Sequence, residues 1–187
     1  MVSSLIKEKF NFFNKNKTHL GWCDFQTIYQ HEINRVHSKA TFVEIGTYHG
    51  QSAKFMADQI QASGKDIDFY TIDDAKEAED SLTEVNIPIG GAFDLQNNKF
   101  VKMIHSDSAE ASKLFADNSL DFVFLDGSHI NPKFEQDLIS WDPKIKIGGV
   151  IAGHDYLEFE DVYHTVNKMY GEENILTIMP GSWYIRK

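Results

Sequence analysis

The sequence predicts an α/β fold: a doubly wound, mostly parallel sheet with helices on both faces. Two observations carry the prediction. Short apolar runs alternate five times with stretches of helical periodicity, the pattern of repeated strand–helix units. One run, residues 120–125 (LDFVFL), is continuously apolar after Asp121, as a strand covered on both faces must be.

The elements follow in order. Residues 1–39 are expected to form a helical lid on the sheet edge. Phe25, Ile28, Tyr29, Ile33 and Val36 recur at helical steps, while Gly21 and Asp24 split the segment in two, with Asp24 a candidate N-cap. The aromatic residues Phe12, Phe13, Trp22, Phe25 and Tyr29 suit either packing, a substrate pocket or a homodimer contact. Residues 41–45 form the first strand, followed by a turn with Gly46 and Gly50 and a helix over 52–63 that stops at Gly64. Residues 68–73 are the second strand. Residues 74–98, with Pro88, Gly90 and Gly91, are expected to form a short helix and a mobile loop beside the pocket. A third strand spans 100–105 and a short helix 109–115. The fourth strand, 120–125, leads to a helix over 134–141. A turn at 146–149 leads into the fifth strand, 150–152, and a helix over 161–170 ends at Gly171. Two last strands, 174–179 and 182–186, are joined only by Pro180 and Gly181, so they must form an antiparallel hairpin. The 187 residues make one domain, with 1–39 as the lid and 40–187 as the core.

Composition narrows the function. The net charge of −10 argues against general affinity for nucleic-acid phosphate. Cys23 is the only cysteine, so no internal disulfide or cysteine-based zinc site exists. No apolar run reaches 18 residues, so no membrane span is expected, and MVSSLIKEKF lacks the apolar core of a secretion signal. A cytoplasmic location is the default expectation.

In such folds ligands bind beyond the carboxyl ends of the strands. Here each of the five strand ends carries an acid: Glu44, Asp73–Asp74, Asp107, Asp126 and Asp155. A pyrophosphate pocket would avoid them and offer bare N–H groups. The dinucleotide fingerprint G-x-G-x-x-G is absent, the spacing being E-x-G-x-x-x-G, and so is a Walker-type loop. An acid-rich rim suits a positively charged cofactor without phosphate, and S-adenosylmethionine fits.

The pieces VEIGTYHGQSA, YTIDD, HSDSAEA, FVFLDGSH, GGVIAGHDY and WYIRK, over roughly residues 41–187, resemble class I S-adenosylmethionine-dependent methyltransferases. Within them the chain is similar to the macrocin and mycinamicin sugar O-methyltransferases and the cephalosporin-hydroxylase-like group. The resemblance implies a Rossmann-like, seven-stranded sheet with an antiparallel last strand. It also implies methyl transfer to an oxygen of a sugar or other small hydroxylated acceptor.

Roles follow residue by residue. Gly46 and Gly50 let the backbone approach the cofactor, and Tyr48 lies in the same turn. The resemblance places Glu44 near the methionine moiety. Ser52 either caps the helix or contacts the cofactor. Asp73 is expected to accept the ribose hydroxyls, with Asp74 the close competitor. The resemblance places the adenine at Ser106, Asp107 and Ser108, which also suit a helix N-cap. Adjacent strands lie ~4.8 Å apart, so Asp126 and Asp155 can converge on a divalent metal, Mg²⁺ or Mn²⁺. His129, three residues after Asp126, is placed as general base, and the resemblance makes Asp126 a metal ligand and His129 catalytic. The metal-dependent relatives carry two adjacent acids after strand five, whereas this chain has His154–Asp155. A nitrogen ligand at His154 favours Mn²⁺, Fe²⁺ or Zn²⁺ over Mg²⁺; a hydrogen-bonded structural role is its alternative. The remaining histidines receive no role, though His49 lies inside the glycine turn. A nicotinamide-dependent oxidoreductase and a non-catalytic cofactor-binding module are the rival readings.

Overall fold

The computed structural model describes residues 23–37, 39–74, 90–178 and 181–187. Its strands are β1 (Ala40–Ile45), β2 (Ile67–Asp73), β3 (Lys102–His105), β4 (Leu120–Leu125), β5 (Ile145–Gly153), β6 (Leu176–Ile178) and β7 (Ser182–Arg186). They form one seven-stranded sheet in the order β3-β2-β1-β4-β5-β7-β6. The first five strands are parallel. β7 runs antiparallel between β5 and β6, as the expected hairpin requires. Chain order reverses between the adjacent β1 and β4, which makes their carboxyl ends the natural site of a cleft.

The helices are α1 (Gln26–Arg35), α2 (Gln51–Ser63), α3 (Ser108–Ser112), α4 (Lys133–Trp141) and α5 (Glu160–Tyr170). Side chains alternate across a strand, and the central strand β4 shows it plainly. Phe122 and Phe124 join Phe25, Tyr29, Phe42 and Met56 in one core layer under α1 and α2. Val123 and Leu125 join Leu138, Trp141, Val162 and Trp183 in the other, under α4 and α5.

Several expectations change. α1 packs over the middle of the sheet rather than its edge: Phe25 lies 4.4 Å and Tyr29 5.1 Å, ring to ring, from Phe124. Asp24 does not cap α1, which has Phe25 at its N-cap and no side-chain cap bond. β5 begins at Ile145, so the anticipated turn at 146–149 is strand. There the pairing with β4 shifts register between Leu120 and Phe122, and Gly148, at φ +80°, accommodates the bend. β3 starts two residues late because the backbone of Asn98 and its side chain hold Val101 and Phe100 in a turn. α3 ends at Ser112, beyond which the backbone tightens to i→i−3 bonds. Expectations for residues 1–22, 75–89, Met179 and Pro180 fall outside the described residues. Among the described residues no helix is long and apolar enough to cross a membrane.

Candidate active site

The cleft is set by how closely β1 and β4 approach. Gly46 has φ +94°, and a Cβ there would lie 2.1 Å from the carbonyl oxygen of Asp126. Only glycine fits, and the turn after β1 is thereby pressed against the loop after β4. Asp73 organises that turn from the side: its Oδ2 accepts the N–H groups of Thr47 and Tyr48, both at 2.9 Å. Tyr48 adopts φ +47° and its ring lies 3.9 Å from that of His49, tilted by 43°.

Beneath the turn lies Glu44, 1% exposed. Tyr29 donates its hydroxyl to Oε2 at 2.5 Å, and Ser52 and Thr71 donate to Oε1 at 3.1 and 3.2 Å. Burial pushes this carboxyl up to about 8, the negative charge of Asp126 adding to the effect and the three donors opposing it. Glu44 and Ser52 are thus bonded to each other under the turn, and neither lines the adjoining cavity.

That cavity, about 310 Å³, brings together Gly46, Asp73, Asp74, Asp107 and Ser108, with Ser106, Gly127 and Ser128 completing the wall. Gly50 and Tyr48 stay in the turn and do not line it. Asp107 has two structural duties. Its Oδ1 caps α3 through Glu110 N–H, and its Oδ2 receives Lys133 Nζ at 2.9 Å. The N-cap expectation therefore holds for Asp107. Ser108 accepts a bond from Trp141 Nε1 at 2.8 Å. Lys133 and the buried Asp137, paired at 2.9 Å, belong to the cavity wall and were not anticipated. Their i, i+4 spacing on a helix was the available signal. A second cavity, about 360 Å³, lies on the far side of Asp73 against Leu95, Val101 and Met103.

Beyond Gly127 and Ser128 the ends of β4 and β5 present the remaining residues. His129 Nε2 lies 2.7 Å from Asp155 Oδ2 and 3.7 Å from Asp126 Oδ1. His154 Nδ1 lies 3.3 Å from Asp155 Oδ2 and 4.0 Å from Asp126 Oδ1. Asp155 holds φ +61°, a left-handed conformation unusual for aspartate. Burial opposes charge on both histidines, but the neighbouring carboxylates outweigh it: Asp126 and Asp155 hold His129 up at about 10, while Asp155 and Asp24 hold His154 up at about 11. Burial also opposes charge on Asp155, and the two histidines overcome it, holding its carboxyl well below the usual range. Asp126 is pushed up, chiefly by burial. His129 further stacks on Phe159, 4.8 Å away at 21°, a contact the sequence did not suggest.

Asp126, His154 and Asp155 each offer a ligand atom within 4.8 Å of the others. Two carboxylate oxygens and one imidazole nitrogen make a donor set that fits a divalent cation of borderline character. The three residues anticipated as metal ligands are therefore brought to one point.

A family model described as a methyltransferase domain matches residues 43–156. Solved structures share the fold. A protein assigned as a caffeoyl-CoA O-methyltransferase from Staphylococcus aureus superposes with TM-score 0.61 at 14% identity, covering 99% of this chain and 93% of that one. CalS11, a TDP-rhamnose 3′-O-methyltransferase of calicheamicin biosynthesis, gives 0.63 at 11% identity, covering 100% and 96%. A Streptococcus mutans protein assigned as a methyltransferase and solved with SAH gives 0.58 at 12% identity, covering 86% and 96%. A search of curated protein sequences finds no significant match.

Proposed function

The chain belongs to the methyltransferase-domain family, and from that premise we propose that it transfers a methyl group from S-adenosylmethionine to a hydroxyl of a small acceptor, a sugar or similar metabolite. One observation carries this reading. The loop whose Gly127 and Ser128 wall the acid-lined cavity also carries Asp126 and His129 at its two ends. A cofactor in that cavity would lie beside the reactive cluster.

The cavity's Asp73, Asp74 and Asp107 suit a cofactor that carries positive charge and ribose hydroxyls but no phosphate. Asp73 spends one oxygen on the turn amides and faces the cavity, so it holds the turn and the ribose together. Glu44 acts from below, bonding Ser52 at the head of α2; it supports the turn rather than the ligand. In-line displacement needs nucleophile, carbon and sulfur aligned, and positioning is the main contribution of the site.

His129 takes the acceptor's proton. Its own proton is held by Asp126 and Asp155, so it becomes a base only when those carboxylates engage another positive group. Asp126, His154 and Asp155 are the residues that would hold a divalent cation. Such an ion, when bound, supplies a Lewis acid that makes a hydroxyl easier to deprotonate. In a metal-free variant of the same reading, His129 and His154, which face Asp126 and Asp155, offset those acids themselves.

The oxidoreductase reading is set aside by the family match. The decisive experiment is a thermal-shift and turnover comparison. S-adenosylmethionine and its demethylated product should raise Tm, NADH should not, and hydroxylated acceptors should be methylated. Stabilisation with no turnover on any such acceptor would point to the binding-module reading. Loss of turnover in EDTA separates the metal-assisted variant from the metal-free one.

A further inference from the structure

The segment just before α1 reaches into the candidate metal centre. Asp24 Oδ1 lies 3.0 Å from Nε2 of His154, and the Asp24 side chain is only 17% exposed. Nδ1 of the same ring faces Asp155 and Asp126. The next residue, Phe25, is buried to 1% exposure and packs its ring 5.2 Å from the His154 ring and 4.4 Å from Phe124. The backbone at Asp24 is therefore anchored beside the imidazole. Asp24 is of a residue type favoured as an N-cap, yet no side chain caps α1.

We infer that Asp24 is a positioning residue for the metal centre: its carboxylate, 3.0 Å from Nε2 of His154, pairs with that nitrogen and thereby presents Nδ1 as the ligand nitrogen. The inference rests on the metal-assisted reading above. An imidazole has two nitrogens, and the partner of one decides which the metal meets. A carboxylate behind a ligating histidine fixes both tautomer and ring plane, and its loss typically weakens metal binding about 10–100-fold. Two acids in sequence after β5 would need no such support. Histidine at 154 does, and residue 24, far away in the chain, supplies it.

The test uses the full chain after chelator treatment. Mn²⁺ binding is measured by calorimetry, with circular dichroism confirming the fold. Asp24→Ala should weaken Mn²⁺ binding about 10–100-fold, Asp24→Asn, which keeps an acceptor oxygen, should weaken it less, and Asp24→Ala added to His154→Ala should weaken it no further. A folded Asp24→Ala that binds Mn²⁺ as the parent does overturns the inference but leaves the metal reading standing. So does an equal loss in the His154→Ala background. A parent chain that takes up no Mn²⁺ overturns both. Nitrogen-15 NMR of the Zn²⁺-loaded parent needs no variant: the proton should sit on Nε2 and the metal on Nδ1 of His154, and the reverse assignment overturns the inference.

Discussion

The two halves of the cleft both carry several acids, yet they handle them differently. On the β1–β2–β3 side, Asp73 is tied to backbone N–H groups and Asp107 to a helix N-terminus and Lys133. Those partners do not change charge near neutral pH. On the β4–β5 side, Asp126 and Asp155 are tied to two histidines, whose protons those same acids hold. The first half is a fixed frame for a ligand; the second is a balance of protons that a substrate or ion can tip.

The largest expected effect sharpens that contrast. His129→Ala should lower kcat by roughly 10²–10⁴-fold, the usual contribution of a general base, while the affinity for S-adenosylhomocysteine stays within a few-fold by calorimetry. A proportionate loss of both would erase the distinction between the halves. Asp73→Ala should do the opposite. Losing a charged acceptor costs about 1.5–3 kcal/mol, so cofactor affinity should fall roughly 10–100-fold with a smaller change in kcat.

Next comes pH. Burial pushes the Glu44 carboxyl up to about 8 in the folded chain, against about 4.5 when free in solution. A raised carboxyl pKa means that the folded state holds the proton more tightly. Its contribution to stability is complete below pH 4.5 and is lost as pH rises through 8. Tm should fall across that window, and Glu44→Gln should flatten the fall; the rise from 4.5 to about 8 corresponds to up to about 5 kcal/mol of stability at about 1.4 kcal/mol per pH unit. The histidines add the same sign at higher pH: raised to about 10 and 11, they contribute fully below 6.5 and lose that contribution through those values. Chelator-treated protein should therefore keep losing Tm above pH 8. The smallest effect is on the frame. Lys133→Met leaves the buried Asp137 without its cation and should cost about 1–2 kcal/mol by denaturant unfolding.

Much of this was legible along the chain, for physical reasons. Alternation with a continuously apolar β4 announces a covered parallel sheet, and the fold places strand ends together, so Asp126, His154 and Asp155 could be grouped before any coordinates. What was hidden depends on contacts across long separations. Nothing local to Asp24 says that it faces His154, and nothing local to Phe159 says that it stacks on His129. Glu44 was legible as an acid at a strand end; that it is covered by Tyr29, Ser52 and Thr71 required the packing of α1 and α2. The start of β5 was missed because Gly148 and Gly149 look like a turn, whereas here they serve a bulge.

The contact at Gly46 has a mechanical consequence. The turn after β1 rests on the carbonyl of Asp126 with no room for one methyl group, so the spacing between this turn and the loop after β4 is a gauge set by bare backbone. Side chains can change rotamer; this distance cannot adjust without parting β1 from β4. Reactions that require three atoms in line are sensitive to displacements of about 1 Å. A single hydrogen at Gly46 in place of a side chain keeps the two working surfaces in alignment.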